Sequence, residues 1–219
     1  TEVLGGLRRM ILPLDVTTEE TEHVLCHELM HEFQAEIILG ATKQREASLN
    51  QISAELSRAL WFMEGMAEYF SKGDVDPRTH AVMRDGLEIG YLRSIEEMSE
   101  RPDYLSAYRF GEALMWYIGK RYGDAGIGVL LKRSAEIGVS RSFEWAHINL
   151  DSLSLEWRSF LDSTYRPQIE AYVHPYEVSY VRLVTDHEFA DPSKGKIPVT
   201  FNGPALSPDG KHIVYISDK

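Results

Sequence analysis

The chain has little of what several protein classes require. Cys26 is its one cysteine, so no internal disulfide can form, and we interpret this residue as a small core side chain. No run of about 18 apolar residues occurs, which predicts that the chain has no transmembrane helix. Lysine and arginine total 23 against 34 aspartates and glutamates, and a net charge of -11 argues against nucleic acid as a partner. The 219 residues are 43% hydrophobic, which is enough for a globular core.

The segment His27-Glu28-Leu29-Met30-His31 places two histidines four residues apart, with a glutamate directly after the first. On a helix of about 3.6 residues per turn, both imidazoles lie on one face and can bind one cation. Glu28 projects about 100° away around the helix axis, beside the cation, where it can reach a water molecule. The spacing therefore predicts a catalytic zinc with His27 and His31 as ligands and Glu28 as the general base of a hydrolase.

The motif lies inside a segment with helical periodicity. Residues 17–21 supply a threonine N-cap and acidic residues for the first turn, and Gly40 is a suitable end. We expect the apolar side chains at helical spacing to bury the motif: Val24, Leu25, Leu29, Met30, Phe33, Ile37 and Ile38. Two buried histidines flanking a carboxylate are explained more simply by a cation than by three separate hydrogen-bonding solutions. His23 lies one turn before the motif, about 6 Å along the axis, and is interpreted as a supporting residue.

A catalytic zinc usually has three protein ligands and one open position. Glu64 is the best third candidate, because it lies on a second apolar helix, over residues 61–70, that carries Glu68 one turn later on the same face. Glu68 is either the rival ligand or an acceptor that orients a ligating histidine. Gly65 lowers helix propensity directly after Glu64, which indicates that another part of the chain approaches closely there.

The segments HELMH and WFMEGMAEYF resemble the gluzincin metallopeptidases, in particular the aminopeptidase N branch. In that branch the ligating glutamate directly precedes a glycine, which implies that Glu64 rather than Glu68 is the third ligand. Residues 107–113 are similar to the Tyr-x-x-Gly segment of the branch, and this similarity implies that Tyr108 donates a hydrogen bond to the oxyanion. The alternative is that Tyr108 packs in the core. Three other side chains remain candidates for the same role: Tyr104, Tyr117 and Arg109.

The sequence also departs from that branch. The connection between His31 and Glu64 is longer, and the GxMEN element that holds a substrate amine is not visible, which argues against an aminopeptidase. The resemblance implies a predominantly helical α+β fold, a zincin-like metallopeptidase domain with an N-terminal edge strand over residues 8–14. That strand is either an ordinary edge strand or one that binds an extended peptide by strand addition.

The C-terminal residues 204–218 read as a turn rich in proline, aspartate and glycine, followed by an alternating apolar strand. They resemble one repeat of a TolB-type β-propeller. One repeat cannot bury its own face, so we expect the chain to be a fragment of a larger protein. The predicted domains are an N-terminally incomplete zincin-like domain at 1–172, a linker at 173–196, and the first strands of a truncated propeller at 197–219.

Further helices are predicted over 46–60, 76–87, 104–122, 125–137, a segment after 140, and 152–172.

These observations predict a zinc metallopeptidase of the gluzincin type that binds one Zn²⁺ and hydrolyses a peptide or protein substrate. The resemblance to propeller-fused envelope proteins implies a periplasmic or secreted location and a propeller that could bind proteins. Two alternatives stay open. One is a catalytically silent module in which zinc pins two helices together, although the intact Glu28 argues against it. The other is a zinc hydrolase of a non-peptide substrate.

Overall fold

The computed structural model describes residues 17–42, 58–73, 76–173 and 201–217. These residues are predominantly helical and include one small antiparallel sheet of two strands. The predicted edge strand at 8–14, most of the predicted helix at 46–60, and nearly all of the predicted linker at 173–196 lie outside these ranges. Within them, no helix is long enough and apolar enough to cross a bilayer, in agreement with the prediction from the sequence.

Eight α-helices and one π-helical segment follow one another in the described residues. Their bounds are α1 (Thr18–Thr42), α2 (Leu60–Lys72), α3 (Pro77–Glu88), α4 (Ile95–Glu100), the π-helical segment (Leu105–Phe110), α5 (Gly111–Tyr122), α6 (Asp124–Ile137), α7 (Val139–Trp145) and α8 (Leu150–Glu170). The helices predicted from periodicity after residue 76 are confirmed with small shifts of their ends. There are two further differences: α1 continues two residues past Gly40, and the helix predicted over 104–122 begins with a wide π turn.

The start of α1 is defined by a reciprocal cap. The backbone N–H of Glu20 donates to Oγ1 of Thr17 over 3.2 Å, and the N–H of Thr17 donates to Oε2 of Glu20 over 3.1 Å. This capping box satisfies two backbone donors that have no partner within the helix. Because it defines where the helix begins, it also helps to set which residues further along share a face with His27.

The face of α1 that carries His27 packs against α2 and α6, and Gln34 and Ile38 are buried on the same side. The apolar stripe that we expect to bury the motif is itself only partly buried. Three of its residues are 44%, 44% and 57% exposed, respectively: Leu25, Leu29 and Phe33. Cys26 is exposed as well, which corrects its interpretation as a core residue. The physical reason is helical geometry, since these four side chains project away from the α2 and α6 side of α1.

The core lies around α2 and α5. It is built mainly from large side chains that are almost completely buried: Trp61, Phe62, Met66, Phe110, Leu114, Met115, Phe143, Trp157, Leu161 and Tyr165. Because α2 packs against α1, α5 and the π-helical segment, it lies between the elements that carry the predicted site residues. A packed core holds the side chains of α2 in defined rotamers, which is what a site assembled from several helices needs.

Gly65 on α2 and Gly111 at the start of α5 meet where the two helices cross. A Cβ atom at position 65 would lie 2.3 Å from the carbonyl carbon of Gly111, and one at position 111 would lie 2.5 Å from the carbonyl oxygen of Trp61. Both contacts are with backbone, which cannot rotate aside as a flexible side chain can. The close approach predicted at Gly65 is confirmed, and it brings the π-helical segment towards Glu64.

We expect Gly65→Ala to destabilise the protein by about 3 kcal/mol or more, the upper end of the cost of overpacking a core, because two backbones would have to separate. Thermal or denaturant unfolding measures the effect. Gly128→Ala on α6 is the matched control, since its Cβ would meet nothing within 4 Å. The higher helix propensity of alanine should make that variant up to about 1 kcal/mol more stable. Equal unfolding midpoints for G65A and the wild type would contradict the packing argument.

The C-terminal strands β1 (Phe201–Leu206) and β2 (Ile213–Ser217) form an antiparallel hairpin. Its turn is closed by the N–H of Ser207, which donates to the carbonyl of His212 over 2.8 Å. Gly210 occupies the left-handed region at φ 69°, where glycine has no steric penalty. The strand predicted after the proline- and glycine-rich turn is confirmed as β2.

Candidate metal centre

Three of the predicted site residues converge on one point between α1 and α2. Nε2 of His27 lies 3.1 Å from Nε2 of His31, and Oε2 of Glu64 lies 3.2 Å and 3.1 Å from these two nitrogens. The three atoms therefore form a nearly equilateral triangle. The partly buried position of the triangle removes much of the competition from bulk water.

The triangle has the size of one face of a zinc coordination sphere. Two ligand atoms at about 2.05 Å from a tetrahedral zinc stand about 3.3 Å apart. The observed separations of 3.1–3.2 Å are close to that value. Two nitrogens and one carboxylate oxygen are also a donor set that catalytic zinc uses. A divalent ion thus fits among His27, His31 and Glu64. In the described residues, two other groups of histidine or acidic side chains could also hold an ion.

The second nitrogen of each histidine ring has a polar neighbour. Nδ1 of His27 lies 2.9 Å from Oε1 of Glu68, and Nδ1 of His31 lies 2.8 Å from Oε1 of Gln34. Gln34 in turn donates from Nε2 to the carbonyl of Met63 over 2.9 Å, which ties α1 to α2. Such partners hold a ring with its other nitrogen directed at a metal. Glu64 therefore lies at the Nε2 atoms of both histidines, whereas Glu68 lies at the opposite nitrogen of the His27 ring.

The charges at the triangle depend on one another. Burial opposes protonation of His27, but its interactions with the Glu64 and Glu68 carboxylates outweigh burial and raise its pKa to about 9. The same balance raises the pKa of His31 through Glu64 and Gln34. Burial alone would raise the pKa of Glu64, whereas its hydrogen bonds with both histidines hold it well below the usual range. Because metal ligands must be deprotonated, a cation that binds here displaces protons from the imidazoles.

Tyr108 lies directly at this site. Its ring stacks on His27 at 5.8 Å between centroids and an interplanar angle of 15°, and its hydroxyl interacts with Glu64. Burial, followed by the negative charges of Glu64, Glu68 and Glu28, raises the pKa of Tyr108 above its ordinary value. The phenol therefore keeps its proton at neutral pH and can donate a hydrogen bond.

The three other candidates for the oxyanion role differ in their contacts. The Tyr117 hydroxyl donates to Oε2 of Glu156 over 3.2 Å, and the guanidinium of Arg109 is turned towards buried acidic residues. Tyr104 is 61% exposed and stacks on the outer side of Tyr108 at 4.8 Å. Tyr104, Tyr108 and His27 thus form a continuous aromatic stack from the surface to the triangle.

Glu28 directly follows His27 on α1 and is partly buried. Its negative charge is one of those that raise the pKa of Tyr108. It is not one of the three residues whose ligand atoms form the triangle. His23 is also outside the triangle and lies 3.4 Å from Oε1 of Glu68.

Sequence reasoning missed Gln34 and the partners of Arg109. A signal for Gln34 was available, because it lies three residues after His31 and therefore on the same face of α1. The partners of Arg109 come from distant parts of the chain and leave no local pattern.

Comparison of the chain with protein-family models, with curated proteins and with solved structures finds no match.

Proposed function

We propose that this protein is a zinc metallopeptidase of the gluzincin type, with a zincin-like catalytic domain over residues 1–172. The observation that carries the proposal is the triangle formed by His27, His31 and Glu64, with Tyr108 stacked on His27 and Glu28 directly after His27 on α1. The HELMH and EGMAEY segments that resemble this family are the segments that supply these residues, apart from Tyr108. A general base beside a three-ligand site favours catalysis over a purely structural metal, which normally has four side-chain ligands.

Zn²⁺ is the cofactor that fits best, and when bound it would polarise the scissile carbonyl and lower the pKa of a coordinated water towards about 7. His27, His31 and Glu64 would hold the ion. Glu68 and Gln34 keep the two imidazoles in the orientation that this requires, through contacts of 2.9 Å and 2.8 Å.

Three steps of peptide hydrolysis fall to the remaining side chains. Glu28 accepts a proton from the attacking water and later passes it to the nitrogen of the leaving amine, so one carboxylate serves as base and then as acid. Tyr108 keeps its phenolic proton and donates a hydrogen bond to the oxygen of the tetrahedral intermediate as negative charge develops there. Tyr104 extends the aromatic wall to the surface, where an extended peptide can contact it.

The substrate is a peptide or protein in this proposal. The hairpin at 201–217 belongs to the start of a TolB-type propeller that would recruit protein partners, and the protein acts in the periplasm or after secretion. Three apolar side chains of the hairpin are exposed: Leu206, Val214 and Ile216. In a propeller, apolar side chains of this kind pack against neighbouring blades.

We expect the purified protein to cleave members of a panel of internally quenched peptides, and to lose this activity when a zinc chelator is added. Readdition of stoichiometric Zn²⁺ after removal of the chelator should restore the rate. A parallel panel of ester substrates separates a peptidase from a hydrolase of other carbonyl compounds. Peptide cleavage that survives complete removal of metal would contradict the proposal, and zinc binding without hydrolysis of either panel would favour the catalytically silent module.

A further inference from the structure

Arg109 has an unusual number of acceptors around one nitrogen. Its Nη1 atom lies 3.1 Å from Asp76, 3.3 Å from Glu68, 3.3 Å from Thr79 and 3.4 Å from Glu112. All five side chains are buried. One guanidinium therefore faces three carboxyl groups in the interior, and the hydrolytic steps proposed above make no use of it.

Two of these three acids have hydrogen-bond donors of their own. Asp76 caps α3 and accepts from the backbone N–H of Thr79 over 2.8 Å. Glu112 accepts from the N–H of Asp76 over 2.9 Å and from the hydroxyl of Thr79 over 2.6 Å. These contacts would hold Asp76 and Glu112 in place without Arg109.

Glu68 is held in a different way, because one of its oxygens faces His27 and His23 and the other faces Arg109. Oε1 lies 2.9 Å from Nδ1 of His27, and Oε2 lies 3.3 Å from Nη1 of Arg109. The positive charge of Arg109 compensates a carboxylate whose side chain is only 5% exposed. An unbroken series of contacts thus runs from Arg109 through Glu68 to the imidazole of His27.

We propose that Arg109 is a positioning residue for the metal centre: it anchors Glu68, and Glu68 in turn keeps Nε2 of His27 directed at His31 and Glu64. This inference rests on the proposed zinc site and deepens it. Without the guanidinium, Oε2 of Glu68 would lie buried beside Asp76 and Glu112 with no cation between these acids, so the side chain would no longer be held in the rotamer that directs Oε1 at Nδ1 of His27.

The test compares zinc affinities, measured by competition with a chromophoric chelator. Arg109→Met should bind zinc about 10-fold or more weakly, the range expected when a residue that orients a metal ligand is lost. Arg109→Lys keeps the charge and should bind more tightly than R109M. Arg93→Met is the matched control, because Arg93 is a partly buried arginine that pairs with Asp103 at 2.7 Å and contacts the π-helical segment but not Glu68. R93M should bind zinc like the wild type.

A double-mutant cycle separates positioning from general destabilisation. Glu68→Ala alone should weaken zinc binding, and adding R109M to E68A should cause no further loss, because the path from Arg109 to His27 is already broken. A structural effect of Arg109 on the fold would instead be additive in affinity and would also appear in the circular dichroism spectrum. If R109M alone folds poorly, R109Q takes its place in the affinity measurement and in the cycle, because it removes the charge but keeps polar groups for the buried acids.

The outcomes distinguish this inference from the proposed function. If the wild type binds zinc and R109M binds it equally well, the role of Arg109 is overturned but the metal centre is not. Additive losses in the cycle overturn it as well. A wild-type protein that does not retain zinc overturns the metal centre, and the inference with it.

Discussion

Glu28→Gln should lower kcat/KM for peptide hydrolysis by about 10²–10⁴-fold, the usual contribution of general acid–base catalysis, while zinc content stays at the wild-type level. The amide of glutamine has nearly the same shape as the carboxylate but cannot accept a proton at neutral pH. Zinc should be retained because the converging atoms belong to His27, His31 and Glu64. Steady-state kinetics and elemental analysis of the same preparation measure the two quantities together.

Glu32→Gln is the matched control for this variant. Glu32 lies one turn after Glu28 on α1 and is also partly buried, so the substitution makes the same chemical change in similar surroundings. It should leave both kcat/KM and zinc content unchanged. Substantial turnover by E28Q would refute the role of Glu28 as base, and loss of zinc from E28Q would show that its carboxylate supports the metal.

The parts of the site that follow from local spacing could be predicted from the sequence. His27 and His31 share a helix face because they are four residues apart, and Glu64 lies one turn before Glu68 for the same reason. Spacing did not predict that α2 brings Glu64 to the histidines. The family resemblance implied it. The structure places Oε2 of Glu64 within 3.2 Å of both Nε2 atoms.

Features that depend on tertiary packing could not be predicted in this way. Periodicity identified Leu25 and Phe33 as apolar positions on α1, but it does not tell which side of the helix its neighbours cover, and both side chains are exposed. The contacts of Arg109 join residues that are up to 41 positions apart. The wide π turn that carries Tyr108 and Arg109 also has no clear signature in composition, although such turns are frequent at functional sites.

His31→Ala should abolish stoichiometric zinc binding, since a site of three ligands retains only two. Apparent zinc-binding free energies of about 10–16 kcal/mol for four-ligand sites correspond to roughly 2.5–4 kcal/mol per ligand, or a loss of about 10²–10³-fold in affinity. The substitution also removes the 2.8 Å contact between Nδ1 of His31 and Oε1 of Gln34, which helps to order this part of α1. Zinc content after dialysis, measured by elemental analysis, should fall to near zero.

His23→Ala is the comparison that makes this result specific. It removes an imidazole from the same helix, and His23 lies 3.4 Å from Glu68 but is not part of the triangle. H23A should keep its zinc and should still be stabilised against thermal unfolding when zinc is added, because a ligand that binds the folded state raises its stability. H31A should show no such upward shift of Tm. Unchanged zinc content in H31A, or equal losses in H31A and H23A, would mean that the ion is held by a set of residues other than His27, His31 and Glu64.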